Sequence, residues 1–286
     1  SNFQISDARA GGFGRDGLID EVKVYNRIHT AQEIQAQYNK ESNGPVSLWP
    51  AEGNAADLID GNNGTLVGDA AYAPGMIGQA FSLDGSGDYV TIPDNANLRL
   101  GTGQTVAAWI NPSSDIGDWA RLVGKGANIP RNYGIWRNLD GYLLFQIHGP
   151  NASTFCNAWD TSRSDTIAPL NTWTHVAGTY DGSRIKLYVN GDLKLDGPCS
   201  ITPAQSSDPL IIGFHSTHTY FAGRIDEPEV FNRTLSACEV AVNALQPCVP
   251  PNQTPECNNV AFIMDEDTVV QRAPLCSDQT PETPLT

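Results

Sequence analysis

An eleven-residue phrase occurs twice in this chain, and the distance between its copies sets the size of the folding unit. Gly17-Leu-Ile-Asp-Glu-Val-Lys-Val-Tyr-Asn-Arg27 returns as Gly223-Arg-Ile-Asp-Glu-Pro-Glu-Val-Phe-Asn-Arg233, with the shared aspartates 226 − 20 = 206 positions apart. Over the 18 positions from Gly17 to Ile34, nine are identical. That spacing is close to one domain length, so the repeat marks a modular protein entered partway through one domain. The 286 residues are then expected to divide into three. Residues 1–42 would be the C-terminal remnant of a preceding domain and 45–246 a complete domain. Residues 247–286 would be a Pro/Cys-rich linker and the start of a further β module.

Each copy reads as a last strand closed by a short helix. Ile19, Val22, Val24 and Tyr25 in one copy, and Ile225, Val230 and Phe231 in the other, supply the strand. Thr30-Ala-Gln-Glu33 and Ser236-Ala-Cys-Glu239 follow as capping boxes, in which hydroxyl and carboxylate satisfy the orphan amides of a helix start. The first helix would run from about Ala31 to Tyr38 and give way to a polar linker, Asn39-Lys-Glu-Ser-Asn-Gly44.

Between the copies the pattern is of strands. The chain's 27 glycines and 19 prolines interrupt it every few residues, which favours many short strands over long helices. Val106-Ala-Ala-Trp-Ile110, Leu143-Leu-Phe-Gln-Ile147 and Leu210-Ile-Ile212 are apolar runs, and residues 173–180 alternate large and small groups. Asp181-Gly182 and Asn190-Gly191 bracket another strand. Both pairs accept positive φ, so this segment reads as consecutive hairpins. An antiparallel all-β sandwich follows.

Charge and cysteine usage narrow the setting. Asp+Glu at 32 against Lys+Arg at 17 leaves 17 − 32 = −15, which repels phosphate backbones, anionic lipid and sulfated glycans at long range. The six cysteines show no C-x-x-C pair and no zinc-finger spacing, so they read as disulfides in an oxidising, extracytoplasmic compartment. Sequence proximity suggests Cys238 with Cys248 and Cys257 with Cys276, leaving Cys156 with Cys199. No run reaches the roughly 18 apolar residues that a membrane span needs.

Six segments in order now carry a resemblance. Residues 49–66 (Trp-Pro-Ala-Glu-Gly-Asn, then Asp-Leu-Ile-Asp-Gly-Asn-Asn-Gly-Thr-Leu), 78–90, 106–110, 173–182, 187–191 and 223–227 resemble the signature segments of the laminin G-like, concanavalin A-like jelly roll. The resemblance covers about 45–245. It implies a two-sheet antiparallel jelly-roll sandwich with short capping helices. It also implies a structural calcium held by an aspartate of the last strand and by the loop after the first. Carried onto this sequence, the ligands are Asp226 with Asp57, Asp60 and Asn62, and Glu52 as a possible further donor; these are the hard oxygens calcium prefers. The alternative is that Asp57 and Asp60 only make Asx turns and that Asp226 bonds a backbone amide. Asp84-Gly-Ser-Gly-Asp88 reads as a tight bend. In the tail, Phe262-Ile-Met-Asp-Glu-Asp-Thr-Val-Val270 resembles the opening strand of bacterial cadherin-like repeats.

Catalytic patterns are not evident. Asp226-Glu-Pro-Glu229 is the one acidic cluster on an expected strand, but it belongs to the repeated phrase, whose first copy has Val22-Lys23 in place of Pro228-Glu229. No Gly-x-Ser-x-Gly or His-Glu-x-x-His occurs. Trp109 and Trp173 fall in apolar strand runs and read as core. Trp119, Arg131, Asn132, Tyr133, Trp136, His148, Trp159 and Tyr220, with His215 and His218, lie in or beside polar glycine-containing stretches. Flat aromatic faces beside amide, guanidinium and imidazole donors can hold sugar rings, although several of these aromatics could instead fill the sandwich. The expected function is non-catalytic, extracellular recognition or adhesion of a glycan or surface protein, with calcium as a structural ion. A passive spacer in an adhesin and an ancillary module of a polysaccharide-degrading enzyme remain the alternatives.

Overall fold

The computed structural model describes residues 44–115, 118–126, 130–151, 153–160, 162–215 and 219–248, together with the backbone of four short strands in the C-terminal segment. An eight-stranded sheet contains β1 (Ser47–Leu48), β3 (Ala71–Pro74), β4 (Gln79–Asp84), β6 (Gln104–Pro112), β11 (Thr174–Tyr180), β12 (Arg184–Val189), β13 (Asp192–Pro198) and β15 (Ala222–Phe231). Its order is β13-β12-β11-β6-β15-β4-β3, with β1 also paired to β15. A seven-stranded sheet contains β2 (Thr65–Val67), β5 (Tyr89–Ile92), β7 (Trp119–Lys125), β8 (Tyr133–Asn138), β9 (Leu143–His148), β10 (Phe155–Ala158) and β14 (Leu210–Ile212), in the order β10-β9-β8-β7-β14-β5-β2. Neighbouring strands are antiparallel throughout both sheets. The expected jelly-roll sandwich is therefore what the chain forms.

Period-two alternation builds the core. Val106, Ala108 and Ile110 of β6 and Val176 and Tyr180 of β11 belong to one buried cluster with Val90, Ile92, Leu122, Ile135, Phe145, Ile147, Leu210 and Ile212 of the other sheet. The two layers meet tightly where Phe145 faces Gly178: a Cβ at that glycine would lie 2.1 Å from the Phe145 Cγ. Trp49 is fully buried in the same cluster, and its Nε1 donates to the Asn62 carbonyl at 2.8 Å.

The turn and cap signals form as expected. Asn190 (φ 51°) and Gly191 (φ 85°) make the left-handed turn between β12 and β13, and the Asn190 side chain accepts from the His175 amide at 2.9 Å. Helix α1 (Ala237–Asn243) starts at the Ser236/Glu239 capping box. It covers a second, small cluster of Ala107, Ala177, Tyr188 and Phe231 on the outer face of the eight-stranded sheet. The first copy of the phrase, including Asp20 and Thr30, lies outside the described residues.

Two of the expected disulfides are present. Cys156–Cys199 (Cα–Cα 5.9 Å) ties β10 to the residue after β13, and these are edge strands of opposite sheets, so the bridge staples one open side of the sandwich. Cys238–Cys248 (Cα–Cα 4.8 Å) anchors the chain leaving α1 to that helix. In the tail, β16 (Cys257–Asn258) pairs with β19 (Leu275–Cys276) so that positions 257 and 276 stand opposite, while their side chains lie outside the described residues. Within the segment of the cadherin-like resemblance, β17 (Ile263–Met264) pairs with β18 (Thr268–Val269).

Two sequence expectations need correction here. Trp109 is buried but on the outer face of the eight-stranded sheet, edge-on to His175 at 5.2 Å, and not in the sandwich core. Trp173 is only half-buried, with the Arg224 guanidinium 5.3 Å from its ring centroid. In β15, Asp226 stands opposite Trp109, on the outer side, and a bulge follows it, where Glu227 adopts φ 47° and the register with β6 shifts between Asp226 and Glu229.

Candidate functional site

Alternation in β7 to β10 decides what the outer face of the seven-stranded sheet presents. Tyr133, Ile135, Phe145 and Ile147 turn inward, so Gly134, Trp136, Leu144, Gln146 and His148 turn outward. Trp136 stands in register between Arg121 of β7 and Leu144 of β9. One position along, Gln146 donates through Nε2 to the Asn157 Oδ1 at 2.9 Å. Beside it, His148 registers with Phe155, their rings 5.5 Å apart. Trp119 meets Trp159 edge-on at 5.5 Å.

This face combines exposed aromatics with buried cations. Trp159 is 45 % exposed and Phe155 49 %, whereas Trp136, Arg121 and His148 are buried. The guanidinium carbons of Arg121 and Arg131 lie 4.8 and 4.7 Å from the Trp136 ring centroid, and His215 packs edge-on against the same ring at 5.0 Å. Glycine makes the room, since a Cβ at Gly134 would lie 2.7 Å from the Trp136 Nε1. Burial pushes the Arg131 guanidinium down to about 10, and burial with the neighbouring Arg131 charge pushes His148 down to about 4. His148 is therefore neutral at physiological pH. A second aromatic group adjoins β5 and β14, where Phe214 stacks on Tyr220 at 4.2 Å and packs against Tyr89 at 5.1 Å.

Other acidic groups lie around β15 and the first loops. Asp226 is buried; its Oδ2 accepts from the amides of Met76 and Ile77 at 2.8 and 2.9 Å, and its Oδ1 from that of Glu227 at 2.9 Å. Glu52 accepts from the Gln79 amide at 3.1 and 3.2 Å. The two carboxylates thus seat on one turn, closed by the Gly75 amide donating to the Gly78 carbonyl at 2.9 Å. A Cβ at Gly75 would lie 2.6 Å from the Asp226 Oδ2, and one at Gly78 would lie 1.8 Å from the Glu52 Oε1. Burial, then the Glu52 charge, raises Asp226 to about 6 against the pull of its three amides. Ala51 (φ 62°) and Glu227 (φ 47°), next to these two acids, are both left-handed non-glycine residues.

With this geometry in hand, comparison with known proteins is informative. The family model of the concanavalin A-like lectin/glucanases superfamily matches residues 84–241. The chain belongs to that superfamily. Similar solved structures include domain 4 of AbnA, a GH43 extracellular arabinanase from Geobacillus stearothermophilus, in complex with arabinotriose (22% identity, TM-score 0.58, 70% of this chain and 98% of that one). The binding domain of Paraclostridial Mosquitocidal Protein 1 (17% identity, TM-score 0.55, 69% and 52%) and the botulinum neurotoxin serotype G binding domain (15% identity, TM-score 0.55, 70% and 50%) share the fold as well. The chain spans about half of each toxin domain. No curated protein matches its sequence significantly. The superfamily holds both binding domains and glucanases, so chemistry has to be read from this chain's own residues.

The sequence-derived ligand set divides. Trp119, Trp136, His148 and Trp159 share the outer face with Arg131, while Tyr220 joins the adjoining aromatic group. Tyr133 points into the core, its hydroxyl donating to the Leu98 carbonyl at 3.1 Å. Asn132 is a structural clamp that accepts from the Leu100 amide at 2.8 Å and donates to the Leu100 and Ala204 carbonyls at 2.9 and 2.6 Å. His218 lies outside the described residues. Arg121, Phe155, Gln146 and Asn157 were missed. Strand register, with Trp136 opposite Arg121 and Phe155 opposite His148, is what reveals them.

The expected metal set divides too. Asp57 accepts four amides: Leu48 and Ile59 on Oδ1, both at 3.0 Å, and Asp60 and Asn62 on Oδ2 at 3.3 and 2.9 Å. Its acceptor sites are filled by the loop it organises, so its geometry does not suit a cation ligand. Asn62 donates to Ser47 Oγ at 2.8 Å and accepts from Asn95 Nδ2 at 2.8 Å, and Asp60 accepts from Asn97 Nδ2 at 2.9 Å. None of these partners is shared with Asp226. Glu52 is the acid that joins it. Asp84 and Asp88 make the expected bend, Asp88 accepting from the Asp84 and Asp69 amides at 3.0 and 2.8 Å; the three carboxylates gather within 4.8 Å.

Proposed function

We propose that this domain is a non-catalytic recognition module of an exported multidomain protein, and that it holds glycan on the outer face of its seven-stranded sheet. The observation that carries this reading is the Trp119–Trp159 pair, half-open to solvent, with the Gln146–Asn157 amides on the same face. Indole faces cover the apolar side of a sugar ring, and fixed amides orient its hydroxyls. The arabinotriose in the Geobacillus domain of the same fold supports a sugar ligand. No strand of this sheet carries Asp or Glu, so none supplies the paired carboxylates of glycoside hydrolysis. The Cys156–Cys199 and Cys238–Cys248 bridges support an extracellular setting, and among the described residues no helix is long and apolar enough to cross a membrane.

Calcium belongs to this reading as a structural ion. The donor set that fits is Asp226 with Glu52, two carboxylates seated on one turn, one of them raised in pKa by its burial and further by the other's charge. A divalent cation there would neutralise their repulsion and fasten β15 to the turn before β4.

Titration calorimetry against a glycan array's best binders tests the recognition role. Trp159→Ala should weaken binding at least tenfold, about 1.4 kcal/mol, without changing the melting temperature. Failure to retain any glycan, or an unaltered affinity in the variant, would leave a passive spacer as the better description.

A further inference from the structure

Four cations are buried among the described residues, namely Arg121, Lys125, Arg131 and Arg137. Two of them have carboxylate partners: the Lys125 Nζ lies 2.6 Å from Asp94 Oδ1, and Arg137 Nη2 lies 2.7 Å from Asp115 Oδ1. The other two, both against Trp136, have none. Arg121 is fully buried and spends one N–H on the Gly126 carbonyl at 2.8 Å, while its Nε and Nη1 are buried without a hydrogen-bond partner. The Arg131 Nε is likewise buried and unpartnered, and 7 % of the residue's surface stays open to solvent.

The surrounding sheet sharpens the contrast. The chain has 32 acidic residues, yet none is in the seven strands of this sheet, while the eight-stranded sheet carries Asp84, Asp192, Asp196, Asp226, Glu227 and Glu229. Asp208 is the acidic group whose charge reaches Arg121. Two adjacent guanidiniums with unspent N–H donors repel each other and stay costly until an anion arrives.

We infer that the ligand of this face bears a carboxylate, as an acidic sugar of the uronic class does, and that Arg131 receives it with Arg121 adding charge from within the fold. This rests on the glycan reading of the same face. A guanidinium fork matches a planar carboxylate in two parallel hydrogen bonds, and the Trp136 ring holds both forks in place. The net charge of −15 does not oppose it, because a single carboxylate held at contact is governed by the local field, whereas a dense polyanion meets the whole surface.

The test uses the complete chain in calorimetry against oligouronides and their carboxyl-reduced counterparts, at roughly physiological salt. The acidic member of a pair should bind at least tenfold more tightly. Arg131→Gln should bring the ratio of acidic to reduced affinity close to one, Arg131→Lys should keep part of it, and Trp159→Ala should weaken both sugars. Equal affinity for acidic and reduced members would overturn the carboxylate assignment and leave glycan recognition standing. A preference that survives Arg131→Gln, or one for sulfated over carboxylated sugars, would also sink it. Absence of binding to either member, or to any glycan, would remove both readings.

Discussion

Asp94 shows how one carboxylate makes a buried cation of this sheet, Lys125, tolerable. It takes Lys125 and Arg99 together, and the Lys125 ammonium, fully enclosed, donates also to the Asp208 carbonyl at 2.6 Å. The Arg99 hydrogen bond and the Lys125 contacts hold Asp94 down at about 2, below its ordinary 3.8. The unfolded chain therefore binds the extra proton between those values. This contribution to stability is complete above about pH 4 and is lost as pH falls toward 2. Asp94→Asn should cost about 3 kcal/mol in urea denaturation, because it leaves the ammonium buried without its counter-charge. Asp94→Asn with Lys125→Met should recover much of that, and both variants should flatten the acid limb of the stability profile. A single variant as stable as the parent would contradict this. At this scale the sequence told aromatic from aliphatic and acid from base. It did not tell Tyr133, in the core, from Trp136, three positions on and facing out, because that depends on which residue starts the strand.

Among the elements, the strand boundaries, hairpin turns and capped helix were legible because each rests on local chemistry. Left-handed turns want Asn-Gly, and a helix start wants Ser and Glu three apart. Register and layer contacts were not legible. Asp226 bonds the amides of the Gly75–Gly78 turn and not Asp57, Asp60 or Asn62, and that turn lies 149–150 residues away in sequence, a partner that no local signal announces. Gly178 is a similar case, a glycine inside a strand whose reason is Phe145 of the opposite sheet. Gly178→Ala should destabilise by roughly 1–3 kcal/mol through overpacking, read as a lower denaturation midpoint. Recovery of the midpoint when Phe145→Leu is added would place the cost at this contact. No recovery would place it elsewhere.

For the whole molecule, charge is divided between the two layers. Acidic residues gather on the eight-stranded sheet and the loops, while the seven-stranded sheet is free of them in its strands and presents arginine and aromatic groups on its outer face. The calcium proposed at Asp226 and Glu52 should act on stability without touching that face. With free calcium a hundredfold above its Kd, stability should rise by about 2.7 kcal/mol. Chelator should therefore lower the melting temperature of the parent but not of Asp226→Asn. A parent melt indifferent to chelator would remove calcium from the account.

By itself the sequence determined the all-β class, the positions of most strands and turns, and two disulfides. All of these follow from periodicity, turn chemistry or neighbours close along the chain. Only the tertiary structure decided that Asp57 holds a loop, that Glu52 and Asp226 share a turn, and that Arg121 and Arg131 meet at Trp136 without a carboxylate. The reason is physical: a polar side chain's role depends on which donors and charges surround it after the sheets stack, and in this fold those neighbours come from strands far apart in sequence.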